Sequence, residues 1–370
     1  MLKLAENATV ILLSAASITR QAILFRMKFL TLPSKQPLKA GLIAACMLIV
    51  VASTVFLLNI RSLYSAIPDL NESTGFEISA GSSLSLVVNE LNLAGVIQHP
   101  QLFKLLALWR GVDDQIKVGE YNLQPGLTPA ALLEKMVEGD TIQYRLTLVE
   151  GWTFKQALEA IWSSDKIEVQ LQSFSAPQLS ELLGIDYQNP EGQLFPDTYF
   201  YSAGTSDIEI IRRAHTRLQQ ILSTAWETRL GALPFDDAYQ ALILASIIEK
   251  ESALGSDRGQ ISGVFIRRLE LGMRLQSDPT VIYGMGENYT GDIRRSDLLA
   301  DTDYNTYRIA GLPPTPIALA GLESITASLN PVASDYLYFV ARGDGSHEFS
   351  ISLSEHNDAV NRYQRQSVRQ

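Results

Sequence analysis

The triplet Glu249-Lys250-Glu251 sets two carboxyl groups and one ammonium at the end of an apolar run, Ala238–Ile248. Asp236 and Asp237 precede the run and suit a helix start, where a short acidic side chain caps free N–H groups and meets the positive end of the dipole. Gly255 suits the helix end. Helical spacing then separates the two glutamates. Glu251 has Ile247 and Ile248 one turn back, Leu244 two turns back and Leu254 one turn ahead, whereas Glu249 neighbours Ala245, Ser246, Ser252 and Ala253. A carboxyl on an apolar stripe is desolvated, which raises its pKa and keeps it protonated near neutrality, as a general acid requires. The same spacing also fits a buried glutamate paired with Arg258, Arg267 or Arg274. Glu249 fits a solvated or paired helix end.

Other chemistries have little to work with. The histidines His99, His215, His347 and His356 show no metal-ligand spacing, and no HExxH occurs. Ser163-Ser164-Asp165-Lys166 contains Ser-x-x-Lys without its companion motifs. No Walker-type glycine loop or GxGxxG is present, so neither a cofactor nor a metal is implied. The single Cys46 excludes an intrachain disulfide framework and a cysteine-rich zinc site.

The elements around the triplet organise the rest. At 370 residues, 46% hydrophobic and 19% charged, the chain has material for about two domains with real cores. Thirty basic residues against 40 acidic ones argue against a general nucleic-acid binder. The bases are unevenly placed: Lys3, Arg20, Arg26, Lys28, Lys35 and Lys39 face only Glu6 within residues 1–39. Ala40–Ile60 then runs without a charge, about 31 Å as a helix, enough for a bilayer core. Basic residues before it and Asp69, Glu72 and Glu77 after it put the N-terminus in the cytoplasm by the positive-inside rule. A cleaved signal peptide is the alternative, but the apolar run is long for one and lacks a close small-x-small site. Met27-Lys28, followed by a short basic region, would make a natural start for such an anchored chain.

Beyond a polar tether, a repeated unit follows: short strand, glycine turn, Ser/Thr cap and amphipathic helix. Phe76-Glu77-Ile78 leads through Gly81-Ser82-Ser83 to Leu91, Tyr121-Asn122-Leu123 through Gly126-Leu127-Thr128 to Met136, and Leu146–Val149 through Gly151-Trp152-Thr153 to Ile161. Another helix starts after His99-Pro100. This β-α-α-β pattern resembles LysM carbohydrate-binding modules; a generic packing unit fits it equally. Asn189–Tyr199, rich in Pro and Gly with interleaved aromatics, reads either as a sugar-stacking wall or as a packed long loop.

Longer blocks are more specific. Leu244–Glu251, Val264–Leu269, Gly272–Gly284, Tyr304–Tyr307, Gly311–Pro314, Leu329–Pro331, Tyr336–Val340 and Gly345–Phe349 with His356-Asn357 together resemble the endolytic murein transglycosylases of the YceG-like family. The resemblance covers roughly residues 40–360. Thr315, where Gly is common, and Leu319-Ala320-Gly321, in place of Asn-Pro-Gly, depart from the pattern in loops.

The resemblance implies a peptidoglycan lytic transglycosylase, a lyase that cuts between N-acetylmuramic acid and N-acetylglucosamine in nascent strands and leaves 1,6-anhydro ends. Glu251 matches the catalytic glutamate. Gln276, Asp278, Thr280 and Tyr283, after a turn, with Asn305, Thr306 and Tyr307, are the candidates for holding substrate; Asp278-Pro279 also suits a simple helix start. A non-catalytic wall-binding scaffold is the alternative function. A hydrolase would need a second acid, such as Asp278 or Asp197, opposite Glu251.

The expected architecture is α+β. It comprises a cytoplasmic segment 1–39, a single N-terminal transmembrane helix 40–60, a tether 61–72, a LysM-like subdomain 73–145, a mixed α/β catalytic domain 146–360 with lysozyme-like active-site logic, and a tail 361–370. The expected setting is the cytoplasmic membrane with the catalytic domain periplasmic. The expected partners are glycan strands and penicillin-binding synthases, with no nucleic acid.

Overall fold

A computed structural model of the protein describes residues 37–365 apart from 69, 173, 186–188 and 253–254. Residues 1–36, with Met27 and most of the basic segment, lie outside the described residues, as do Ala253, Leu254 and the tail from 366. Helix α1 (Pro37–Ser62) carries the apolar run. Within its stretch Gly41–Ser62 an 18-residue window has a mean hydropathy of 2.6, with none of that window buried against the protein. Among the described residues it is the one helix long and apolar enough to cross a membrane.

The segment after α1 is not a loose tether. Leu63 and Ile67 are buried in the next core, the Ile67 N–H donates to the Leu127 carbonyl at 2.8 Å, and the Leu63 carbonyl accepts from the Ala130 N–H at 2.9 Å. These apolar side chains leave water by folding onto the module, so α1 is joined to it by a packed linker.

That module has the expected β-α-α-β order. Strand β1 (Thr74–Ile78) pairs antiparallel with β2 (Gly119–Leu123), with Phe76 opposite Tyr121. Between them lie α2 (Leu84–Leu93), capped by Ser83, and α3 (Pro100–Arg110), stopped by Gly111 at φ 66°. Helix α4 (Pro129–Glu138), capped by Thr128, closes a core of Val87, Leu91, Phe103, Tyr121, Leu132 and Met136.

In the larger part, β3 (Gln143–Thr147) pairs antiparallel with β5 (Thr198–Ser202), and β4 (Ile167–Glu168) lies parallel to β6 (Thr205–Ser206). Helix α5 (Phe154–Trp162) starts with a capping box of Thr153 and Gln156. Helices α6 (Ala176–Leu183) and α7 (Asp207–Glu227) follow. Asp207 is fully buried, and its carboxylate accepts from the Trp162 indole at 3.0 Å and from the N–H groups of Gln170, Leu171 and Ile208. It thereby ties α5, α7 and the β4 loop together.

Next come α8 (Ala238–Glu251), α9 (Arg258–Glu270), α10 (Asp278–Met285), α11 (Arg295–Leu299) and α12 (Leu322–Leu329). A hairpin of β7 (Tyr338–Ala341) and β8 (His347–Ser350) with α13 (Leu353–Val360) ends the domain. Every sheet among the described residues is two-stranded, so helix packing carries most of the core of this mixed α/β fold. Helix α9 packs close to residue 332: a Cβ at Gly263 would sit 2.3 Å from the Val332 carbonyl oxygen.

The stretch Asn189–Tyr199 is a packed loop. Residues 191–196 are buried, Phe195 and Tyr199 face the interior, and the Tyr199 hydroxyl donates to the Phe195 carbonyl at 2.7 Å. Its aromatics are core side chains, not a stacking wall.

Candidate active site

Helix α8 is where a site becomes possible. Asp237 caps it, accepting the Gln240 N–H at 2.9 Å. Ala241 to Ile248 are all buried, on every face of the helix. Such a helix is surrounded by protein and gives little freedom to whatever projects from its last turn. The helix stops at Glu251, because Ser252 turns to extended backbone.

Both glutamates of the triplet meet protein, and their partners distinguish them. The Glu249 side chain is 6% exposed; it accepts from Arg258 at 3.2 Å and from the Gly321 N–H at 3.0 Å. The Lys250 ammonium donates to the Gly151 carbonyl at 3.2 Å. Arg258 also pairs with Glu323, Arg267 pairs with Asp335, and Arg274 donates to the Tyr307 carbonyl. The arginines that could have neutralised Glu251 are therefore engaged elsewhere. Glu251, partly exposed, accepts a hydrogen bond on Oε1 from the Ser277 hydroxyl at 2.6 Å. Burial pushes its carboxyl up to about 7, the Ser277 donor pulls it down, neighbouring Asp278 pushes it up, and Arg268 pulls it down. An acid so poised is half-protonated near neutrality and can give or take a proton there.

The loop before α10 presents Ser277. Gln276 is the one non-glycine residue among those described with positive φ, at 52°, and its side chain is exposed. Its N–H donates to the Thr306 carbonyl at 3.2 Å. Asp278, in the first turn of α10, accepts the Tyr307 hydroxyl on Oδ1 at 2.7 Å. Burial pushes the Tyr307 phenol up, as does its bond to Asp278.

Thr280, Asn305 and Thr306, expected to hold substrate, are buried at 0–1% exposure and bonded within the protein. Asn305 Nδ2 donates to the carbonyls of Asp297, Leu298 and Ala300, at 2.7 Å for the last, and its Oδ1 accepts the Tyr307 N–H at 3.0 Å. It locks the loop that carries Tyr307. Thr280 and Thr306 hold Ser277 in the same way.

Tyr283 lies against Tyr304, ring centroids 4.8 Å apart, and donates its hydroxyl to Glu191 Oε2 at 3.1 Å. Glu191 was not anticipated. It is 5% exposed, and its Oε1 accepts the N–H groups of Phe154 at 2.8 Å and Gly192 at 3.1 Å. Burial pushes it up to about 7 against those donors and Tyr283. A lone acid inside the Pro-Gly-Leu-Phe text of residues 190–196 was the available signal. Ser277 was also missed; its position between Gln276 and Asp278 was the hint.

A loop crosses over α8 at the far side. The Ser246 hydroxyl accepts the Ile317 N–H at 3.0 Å, the Gly151 N–H donates to the Leu319 carbonyl at 2.9 Å, and the Leu319 N–H donates to the Trp152 carbonyl at 2.7 Å. Thr315 fills the place of a common Gly and joins its hydroxyl to the Tyr304 hydroxyl at 2.8 Å. At Gly321 an added Cβ would lie 1.9 Å from a Glu150 oxygen. Asp197, exposed, accepts its neighbour's Thr198 N–H at 2.7 Å. Among the described residues no group of three or more His, Cys, Asp or Glu side chains is arranged to hold a metal ion.

Fold and site together define a class: a mixed α/β domain behind one apolar helix, with a desolvated, partly exposed acid at the end of a core helix. Within that class the chain belongs to the YceG-like family, whose profile matches residues 76–362. A Bacillus subtilis protein named endolytic murein transglycosylase is 30% identical over 312 residues, covering 80% of this chain and 86% of that relative. A Streptococcus pneumoniae protein of the same name is 30% identical over 299 residues, 71% of this chain; this chain spans 53% of that longer relative. A crystal structure of a yceG-like protein from Listeria monocytogenes aligns with 78% of this chain and 99% of its own at 31% identity and a TM-score of 0.48.

Proposed function

We propose that this chain is an endolytic lytic transglycosylase acting on peptidoglycan glycan strands, with Glu251 as its single general acid and base. The carrying observation is the Glu251 carboxyl: desolvated, bonded to Ser277, and poised at about 7. The names of the relatives support the substrate.

The reaction needs one protein acid. Protonated Glu251 gives its proton to the oxygen linking muramoyl C1 to N-acetylglucosamine, and the C1–O bond breaks. The resulting carboxylate takes the proton of the muramoyl C6 hydroxyl, whose oxygen bonds to C1 and closes a 1,6-anhydro ring. Glu251 ends protonated and no water is consumed. Because the nucleophile is tethered to the electrophile, the step gains the effective molarity of an intramolecular reaction. A second carboxylate, needed by glycosidases that use water or a covalent intermediate, has no task here. In that sense the site follows lysozyme-like logic reduced to its acid. Exposed Gln276 and Asp278, with Tyr307 and Tyr283, are the side chains available to hold sugars; Thr280, Asn305 and Thr306 serve by supporting the loop.

The arrangement along the chain fits this role. Helix α1 anchors the protein in the cytoplasmic membrane, with residues 1–39 cytoplasmic and the catalytic domain, about 146–360, on the periplasmic side. The β-α-α-β module, about 73–145, is a LysM-like unit that meets the strand. Since the linker after α1 is packed, the cutter reaches strands near the membrane, beside penicillin-binding synthases.

The test is mass spectrometry of glycan strands digested by the full-length protein in detergent, wild type beside Glu251→Gln. Anhydro-ended fragments, one water lighter than hydrolysis products, should appear with the wild type and vanish in the variant. Reducing ends would mean hydrolysis, with Asp278 or Asp197 as the acid to examine. No cleavage by either protein, with strands still bound, would favour a binding scaffold.

A further inference from the structure

We infer that Ser277 is a positioning residue that gives the two oxygens of Glu251 different tasks, holding Oε1 as acceptor so that Oε2 carries the transferable proton. The inference rests on the proposed acid–base role of Glu251. The Ser277 hydroxyl donates to Oε1 at 2.6 Å, within the short range of a charge-assisted hydrogen bond. A carboxylic acid that accepts a hydrogen bond on one oxygen keeps its own proton on the other.

A ring of hydrogen bonds fixes the backbone that carries the donor. The Ser277 N–H donates to Thr306 Oγ1 at 2.9 Å, Thr306 Oγ1 lies 2.9 Å from Thr280 Oγ1, and the Thr280 hydroxyl donates to the Ser277 carbonyl at 2.7 Å. Each threonine hydroxyl has one proton. With Thr280 giving its proton to the carbonyl, Thr306 gives its own to Thr280, and the ring closes on the Ser277 backbone. The ring uses only the Ser277 backbone, and the Ser277 hydroxyl is engaged with Glu251. Ser277, Thr280 and Thr306 are each at most 1% exposed, so no water competes for these bonds. Upstream, Arg268 Nη1 donates to the Leu275 carbonyl at 2.7 Å, which pins the approach to the turn at Gln276. The donor is therefore held from both sides, and Glu251 cannot exchange its oxygens without breaking that bond.

Two effects follow. The bond stabilises the carboxylate formed after the first proton transfer, and by engaging Oε1 it leaves Oε2 to carry the proton in both halves of the reaction. Ser277→Ala should therefore move the alkaline limb of the kcat/KM profile upward by about one pH unit and lower the plateau about tenfold, the loss of one hydrogen bond to a charged group.

The experiment is the pH–rate profile of anhydro-end formation by the full-length protein in detergent, with thermal melting alongside. Ser277→Cys keeps the volume and substitutes a weak donor; it should shift the limb in the same direction, and it supplies the result if Ser277→Ala does not fold. An unmoved limb in the folded variants, with the rate down or unchanged, would refute the positioning role. Glu251→Gln separates this from the underlying reading. An active Gln variant removes the acid assignment itself, whereas an inert one beside an unmoved limb in the Ser277 variants overturns only the inference about Ser277.

Discussion

Glu251→Gln should make the protein more stable at alkaline pH while removing its activity. The Glu251 carboxyl has an ordinary value of 4.5 and is pushed up to about 7 in the fold. A group whose folded pKa lies above its unfolded value contributes stability that is full below pH 4.5 and is lost as pH rises through 7. The shift corresponds to about 3 kcal/mol at about 1.4 kcal/mol per pH unit. Glutamine keeps the size and an acceptor for the Ser277 hydroxyl but carries no charge to desolvate. The variant should then match the wild type near pH 4 and exceed it by about 3 kcal/mol at pH 8. Urea denaturation of both full-length proteins in detergent across pH 4 to 8 reads this difference directly. Parallel stability–pH curves for the two proteins would refute the reasoning, because they would mean that Glu251 pays no desolvation cost. Glu191 remains in both proteins, so its own titration near 7 cancels in the comparison.

Two further predictions concern the frame around the acid. Ser246→Ala leaves the buried Ile317 N–H without its acceptor and should cost about 1–3 kcal/mol in chemical denaturation; a neutral result would show that the crossing loop is held by other contacts. Gly192→Ala adds a Cβ 2.3 Å from the Pro316 Cβ at a φ of +74°, so the Glu191 loop must shift and stability should fall by about 1–3 kcal/mol; melting at the wild-type temperature would mean the loop yields freely.

Much of the fold was legible because it is local. Capping residues Ser83, Thr128, Thr153 and Asp237 each sit where the spacing puts a helix start, since a short side-chain oxygen before an apolar run satisfies free N–H groups wherever it occurs. The β-α-α-β order followed from the same signals. The packing of the tether was not legible because Leu63 and Ile67 are isolated apolar residues in polar text, and only the module's core shows that they have somewhere to go. Thr280, Asn305 and Thr306 looked like cleft residues because polar side chains near a site read alike, whether they face a ligand or brace a loop.

Glu251 shows where local reading ends. The apolar stripe pointed to it, yet Ala245 and Ser246, beside Glu249, are as fully buried as Ile247 and Ile248. The stripe alone does not separate the two glutamates; Arg258 does, by neutralising Glu249 from the following helix. From sequence alone came a capped core helix ending in two acids, an apolar span behind a basic segment, and a family resemblance, all carried by neighbours within a few turns. Only the tertiary structure decided that the Glu251 carboxyl is pushed up to about 7, because burial and Asp278 raise it against Ser277 and Arg268, which reach α8 from other elements. A pKa is set by charges, donors and solvent across space, and chain order does not encode those distances.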